Sequence, residues 1–157
     1  MKLLIVLGGG GHTTEMLHLV QLLGPEYEYH YLLVREVALS PDAIKRKGVI
    51  HPVRRPRGRD DGLLATIVNS VMALYEIIRI LIQVRPKAVI GCGPAIAVLA
   101  SAVGKLLGSV IIFVETGSRV SNLSLSGKLM YRVADQFFVQ WPNLQNKYPK
   151  AIYAGRL

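Results

Sequence analysis

The sequence predicts an α/β domain built on a doubly wound parallel sheet. Three observations carry this reading. Apolar strand-like runs alternate with helical patterns along the chain, the order that yields a parallel sheet with helices on its faces. The runs "KAVIG" and "SVIIFV" are apolar without alternation, as strands buried on both faces must be. The segments rich in chemical signals are Gly8–Thr13, Arg54–Arg59, Gly91–Pro94 and Glu115–Arg119. Each follows a predicted strand, at the carboxyl end where such sheets bind ligands.

The elements are read in order. Lys2–Leu7 is the first strand. His12–Leu23 is a helix whose apolar side carries Met16, Leu17, Leu19, Val20, Leu22 and Leu23. Thr13 or Thr14 is placed to cap its start, and Gly24-Pro25 stops it. Tyr29–Val34 is the second strand. Ser40 and Pro41 open a short basic helix. Val49–Val53 is the third strand, and Leu63–Val84 a long helix. Lys87–Gly91, the Ala-rich helix Pro94–Leu107 and Ser109–Glu115 follow. Leu123–Val133 is a helix, Gln136–Val139 a strand, Pro142–Tyr148 a short helix, and "AIYAGRL" ends in a last strand.

A chain of 157 residues with 51% apolar content is one domain, 1–157, with a core of its own. The single cysteine, Cys92, excludes a disulfide within the chain. Nineteen Lys+Arg against ten Asp+Glu give a net charge of +9, a balance that attracts phosphorylated ligands or an anionic membrane surface. Nucleic acid is not expected, because aromatic residues are not interleaved with the basic runs. The run "VRRPRGRDD" holds Arg54, Arg55, Arg57 and Arg59 in a loop with Pro56 and Gly58. Guanidinium groups there suit phosphate through paired N–H donors, although a charge run is also simply a solvated face.

Leu63–Val84 is long enough to span a bilayer but contains Asn69, Glu76, Arg79 and Gln83. A charge in the middle of a span costs about 3 kcal/mol on insertion scales. A helix lying along a membrane, or one packed on the sheet, is the expectation.

The glycine run is the strongest local signal. Gly8, Gly9, Gly10 and Gly11 lie between a strand and a helix. There, backbone N–H groups and the positive end of the helix dipole suit a diphosphate. Thr13 stands where the dinucleotide fingerprint has its third glycine, and the P-loop pattern is absent at Gly127-Lys128. His12 sits beside whatever the loop binds. An unperturbed pKa of about 6.5 and a helix N-terminus that disfavours the imidazolium suit it to general-base work. The competing reading is a histidine that only caps or packs. Glu15 either orients that ring or pairs with a basic side chain. His18, His30 and His51 lack metal-ligand spacing, and no metal or cofactor is expected.

The segments "GGGGHTTEML", "RPKAVIGCGP" and "FVETGSRVSNLSLSGKLMYRVADQFFVQWPNLQNKYPKAIYAGRL" resemble the asparagine-linked glycosylation protein 14 family over nearly the whole chain. The resemblance implies a single Rossmann-like, acceptor-binding domain, equivalent to the N-terminal half of a GT-B glycosyltransferase. It implies a subunit of a UDP-GlcNAc transferase in dolichol-linked oligosaccharide synthesis, inactive alone. Such a subunit binds a polyprenyl-diphosphate sugar and recruits a separate donor-binding glycosyltransferase chain that holds UDP-GlcNAc. By position, Gly9, Gly10, Gly11, Thr13, Arg57, Arg59, Gly93, Pro94 and Arg119 would serve the acceptor diphosphate. His12 would be the base, or else Glu115. Tyr153, Gly155, Arg156 and Leu157 would hold the partner.

Thr116, Asp60-Asp61 and Ala95 depart from the family pattern. Eukaryotic members carry a transmembrane helix ahead of the glycine loop, where this chain has only the strand. The expectation is an anchor-free or shortened member, peripheral on the cytoplasmic face of a membrane: the endoplasmic reticulum in a eukaryote, the plasma membrane in a prokaryote. The rival is a free-standing Rossmann nucleotide-cofactor domain, with Glu36 after the second strand gripping a ribose.

Overall fold

The computed structural model describes residues 1–37, 43–56, 62–93 and 95–157. The elements run β1 (Lys2–Leu7), α1 (Gly11–Leu23), β2 (Glu28–Val34), β3 (Gly48–Val53), α2 (Leu63–Val84) and β4 (Ala88–Cys92). Then come α3 (Ala95–Leu106), β5 (Val110–Val114), α4 (Leu125–Val133), β6 (Gln136–Val139), α5 (Pro142–Lys147) and β7 (Ile152–Tyr153). The described strands form one sheet in the order β3-β2-β1-β4-β5-β6-β7, parallel at each pairing. The order reverses between β1 and β4. The loops after those two strands therefore diverge to opposite faces and leave a crevice between them.

The central strands β1, β2, β4 and β5 bury both faces, while the edge strands β3 and β7 are largely exposed. Leu4, Val6, Leu32, Val89 and Phe113 pack with Ile77 and Leu81 of α2, Ile96 and Ala100 of α3 and Met130 of α4. Leu3, Ile5, Leu7, Tyr31 and Ile90 pack on the other face with Met16 and Val20 of α1. The long helix α2 does two things at once. Ala73, Ile77, Leu81 and Val84 are buried against the sheet, while Leu63, Leu64, Val68, Val71 and Tyr75 are exposed.

Three local expectations are corrected. Helix α1 starts at Gly11, so Thr13 lies inside its first turn and Gly10 is the cap residue, with no side-chain cap. The basic helix after Ser40 is not found in its described part. Ser40 and Pro41 lie outside the described residues, and Ile44–Lys47 are irregular. There the Arg46 carbonyl accepts a bond from the Tyr31 hydroxyl at 2.9 Å, and the Arg46 guanidinium donates to Gln21 O at 3.2 Å. Those tertiary bonds replace a helical ladder. Helix α4 starts two residues later than expected because Ser124 caps it, accepting from Gly127 N–H at 2.9 Å.

On β2 and β3, His30 Nδ1 lies 3.0 Å from His51 Nε2, and His30 Nε2 lies 3.1 Å from Glu28 Oε1. Burial, and then the neighbouring His30, hold the His51 pKa below its ordinary value. The unfolded chain therefore takes up a proton at this position near pH 6.5, where the folded chain resists it. Stability is full above that pH and falls as pH drops through it toward the depressed value. The thermal midpoint of His51→Gln is expected to fall less than that of the wild type between about pH 7.5 and about pH 5.5. Equal slopes would show that His51 is not linked to folding.

Candidate functional site

The crevice is built around the glycine loop. Gly9 and Gly10 have φ of 97° and 63°, a region open to glycine and strained for other residues. Gly9 N–H donates to Thr13 Oγ1 at 2.9 Å, and Thr13 N–H donates to Gly10 O at 3.0 Å. Thr13 is buried and laces the loop from inside. The first N–H groups of α1, at Gly11 and its neighbours, have no partner within the helix and point out of its open end. Beside them lies a cleft of about 510 Å³, lined by Gly8, Gly9, Gly10, Glu36, Arg55 and Ile96 among others. Arg57, Arg59 and Pro94 lie outside the described residues; within them, the arginine in the cleft wall is Arg55.

The His12 side chain is 33% exposed, and its ring lies on the backbone of Gly93. A Cβ at Gly93 would come 2.6 Å from Nδ1. Cys92 Sγ lies 3.6 Å from His12 Nδ1 and donates to Glu15 Oε2 at 3.3 Å. Glu15 Oε2 is itself 4.0 Å from Nδ1. Burial pushes the Cys92 thiol pKa up, and the Glu15 charge pushes it further. The three donor atoms of His12, Glu15 and Cys92 lie within 4.8 Å of one another. A cation would fit there only after the thiol lost a proton that both its burial and its acceptor hold in place.

Glu15 is the hub that sequence reasoning left open. Its second oxygen accepts from Gly117 N–H at 2.8 Å, Thr116 Oγ1 at 3.2 Å and Gln140 Nε2 at 3.3 Å. Cys92 and Gln140 were missed altogether. The available signal was position: Cys92 ends β4 and Gln140 directly follows β6, next to Gly93 and Trp141 respectively.

The alternative base, Glu115, is bound within the fold. It is 0% exposed. Oε1 accepts from Thr116 N–H at 3.1 Å, and Oε2 accepts from Ser124 N–H at 2.9 Å and Ser124 Oγ at 3.0 Å. Burial raises its pKa, while these donors and the Arg119 charge pull it back. A Cβ at Gly127 would overlap Oε2. Glu115 therefore fastens the start of α4, with both oxygens hydrogen-bonded within the fold. Arg119 is exposed on the same loop and is not part of the cleft wall.

At the far edge, Tyr153 belongs to β7 and is 39% exposed. Gly155 is exposed. The Arg156 guanidinium stacks 4.3 Å over the Trp141 ring, and Leu157 N–H donates to Gln140 Oε1 at 2.9 Å.

Among solved structures, MurG of Acinetobacter baumannii superposes with a TM-score of 0.73 at 17% identity, over 100% of this chain and 46% of that one. A UDP-N-acetylglucosamine 2-epimerase superposes with a TM-score of 0.74 at 16% identity, over 99% of this chain and 48% of that one. The chain thus spans just under half of either structure. The fold is one Rossmann-like unit, matching the N-terminal half of a GT-B glycosyltransferase, with an anion-suited loop and a histidine at its switch point. Sequence comparison adds the family. The "UDP-N-acetylglucosamine transferase subunit ALG14" of Mus musculus is 33% identical over 180 residues, covering 100% of this chain and 83% of that protein. The Schizosaccharomyces pombe protein of the same name is 33% identical over 174 residues, covering 98% and 81%. The chain belongs to the family described as oligosaccharide biosynthesis protein Alg14 like, matched over residues 3–157.

Proposed function

We propose that this chain is the acceptor-side subunit of a UDP-GlcNAc transferase in lipid-linked oligosaccharide synthesis. The observation that carries it is the convergence at the switch point. The glycine loop up to Gly10, the cap residue of α1, and Arg55 line one cleft, and the partly exposed His12 follows that loop in the first turn of α1. Backbone N–H groups, a helix N-terminus and a guanidinium together form a diphosphate-binding set. The acceptor is a polyprenyl-diphosphate sugar, and the whole chain, 1–157, serves as one acceptor-binding domain. A separate chain holds UDP-GlcNAc. The acceptor hydroxyl attacks the anomeric carbon, the bond to UDP breaks, and His12 takes the hydroxyl proton. The tail Tyr153–Leu157, at the free edge of the sheet, is the surface for that partner.

The test is reconstitution. The purified chain alone is expected to bind polyprenyl diphosphate and to transfer no GlcNAc, with turnover appearing only when the donor-binding chain is added. Turnover by the chain alone would sink the two-subunit reading. Glu36 in the cleft wall gives the rival cofactor-domain reading its one support. Tight dinucleotide binding by the isolated chain would favour that rival.

Membrane docking follows from α2. Its 22 residues are long and apolar enough to cross a bilayer, yet its inner face is packed on the sheet. The outer face, with Leu64, Val68, Val71 and Tyr75 exposed, lies on the membrane surface at the cytoplasmic side, and the +9 charge adds attraction to anionic headgroups. Salt is expected to release much of the protein from anionic vesicles, because screening shortens the reach of that attraction below about 8 Å. If only detergent releases it, the apolar face is the anchor and the charge contributes nothing measurable.

A further inference from the structure

The geometry points to Cys92, Glu15 and Gln140 as positioning residues that set the tautomer of His12 and couple it to the C-terminal tail. This rests on the reading of His12 as the base and of the tail as the partner surface.

The hydrogen bonds run in one line. Leu157 N–H donates to Gln140 Oε1 at 2.9 Å. Gln140 Nε2 donates to Glu15 Oε1 at 3.3 Å and to Glu115 O at 3.2 Å. Glu15 Oε2 receives the Cys92 thiol proton at 3.3 Å, and Cys92 Sγ meets His12 Nδ1 at 3.6 Å. A second route joins the same ends. Arg156 stacks on Trp141, whose Nε1–H donates to Gly117 O at 2.7 Å, and Gly117 N–H donates to Glu15 Oε1 at 2.8 Å. Gln140 is 2% exposed, so its amide has few other partners to turn to. Cys92 of β4, the Thr116–Gly117 loop after β5 and Gln140 after β6 meet on the Glu15 carboxylate of α1.

The direction of each bond follows from the donor inventory. Ionised Glu15 only accepts, so the thiol proton points to it. The sulfur then has only acceptor capacity left for His12, and Nδ1 must be the protonated nitrogen. Nε2 keeps its lone pair, on the nitrogen not engaged by Cys92. That is the tautomer a general base needs. Gly117 and Thr116 hold Glu15 Oε1, and Gln140 completes that set with its own oxygen anchored on Leu157 N–H. Seating a partner on residues 153–157 therefore fixes the last link of a line that ends at the imidazole.

The test uses the assembled transferase at saturating partner, with two variants and one spectrum. Gln140→Glu keeps an oxygen for Leu157 N–H but sets a second carboxylate against Glu15. It is expected to lower kcat at least tenfold, leave KM for the acceptor within about twofold, and shift the acid limb of the pH–rate profile upward. Deleting Leu157 removes the donor alone and is expected to lower kcat severalfold in a way that excess partner does not restore. The double variant is expected to fall no further than the worse single one, because both break the same line. Full rescue of the deletion by excess partner, or effects that multiply, would overturn the coupling. Because Gln140→Glu could impair folding, the wild-type ring ¹⁵N spectrum gives an independent reading: His12 is expected to carry its proton on Nδ1. A proton on Nε2 overturns the relay. If instead the tautomer is as stated but His12→Ala keeps its turnover, the relay stands and the base assignment falls.

Discussion

His12→Ala is expected to lower turnover of the assembled transferase by about 10²–10⁴-fold, the range for losing a positioned general base. Acceptor binding is expected to change little. The variant leaves the glycine loop, its cap residue Gly10 and Arg55 in place, and these line the cleft. Partner binding is expected to be intact, because the tail's own contacts are to Gln140 and Trp141 and not to the His12 ring. The loss should therefore appear in kcat with KM nearly constant, the pattern of an interaction made in the transition state. Transfer assays at two acceptor concentrations and two partner concentrations separate these terms. Near-normal kcat would remove His12 as the base, and Glu115 would not inherit the role, since both its oxygens are held within the fold.

The alternation of strands and helices was legible because buried parallel strands must be continuously apolar, and "KAVIG" and "SVIIFV" could be little else. The position of the glycine loop followed from the same logic. What the sequence could not show was where long-range partners fall. Glu15 lies 102 residues from Gly117 and 125 from Gln140 along the chain, so its role as a hub is a product of strand order alone. Cys92 read only as a single cysteine that excludes a disulfide, because its place beside the His12 ring and the Glu15 carboxylate comes from the pairing of β1 with β4. Glu115 was a candidate because it matches the family's Val-Glu-Ser-x-x-Arg-Val segment by position. Only the three-dimensional cap on α4 shows that its oxygens are already engaged. Thr13 read as a cap because a threonine beside a helix start usually is one. Here the helix begins two residues earlier, and the hydroxyl serves the loop instead.

Gly93→Ala is the complementary experiment, because it moves the histidine without removing it. Gly93 has φ of 79°, and an added Cβ would lie 2.6 Å from His12 Nδ1 and Cε1. The ring is penned between that backbone and the Cys92 thiol, so it must swing outward or the loop after β4 must shift. Backbone strain contributes separately, at about 1–2 kcal/mol for a non-glycine residue in this region. Gly108→Ala isolates that contribution: its φ is 83°, and nothing lies within 4 Å of the new Cβ. Both variants are expected to lose thermal stability, Gly93→Ala more than Gly108→Ala because it adds the overlap with His12 to the backbone strain. Gly108→Ala should keep wild-type turnover, because its loop follows α3 at the end of the sheet away from the cleft. Gly93→Ala should lose about 10²-fold, the usual cost of displacing a catalytic group by about 1 Å. The readout is a melting curve beside a transfer assay for each variant, at saturating partner. Equal turnover in the two alanine variants would mean that His12 is not held in its working position by Gly93, and that the ring finds its geometry only when acceptor or partner is bound.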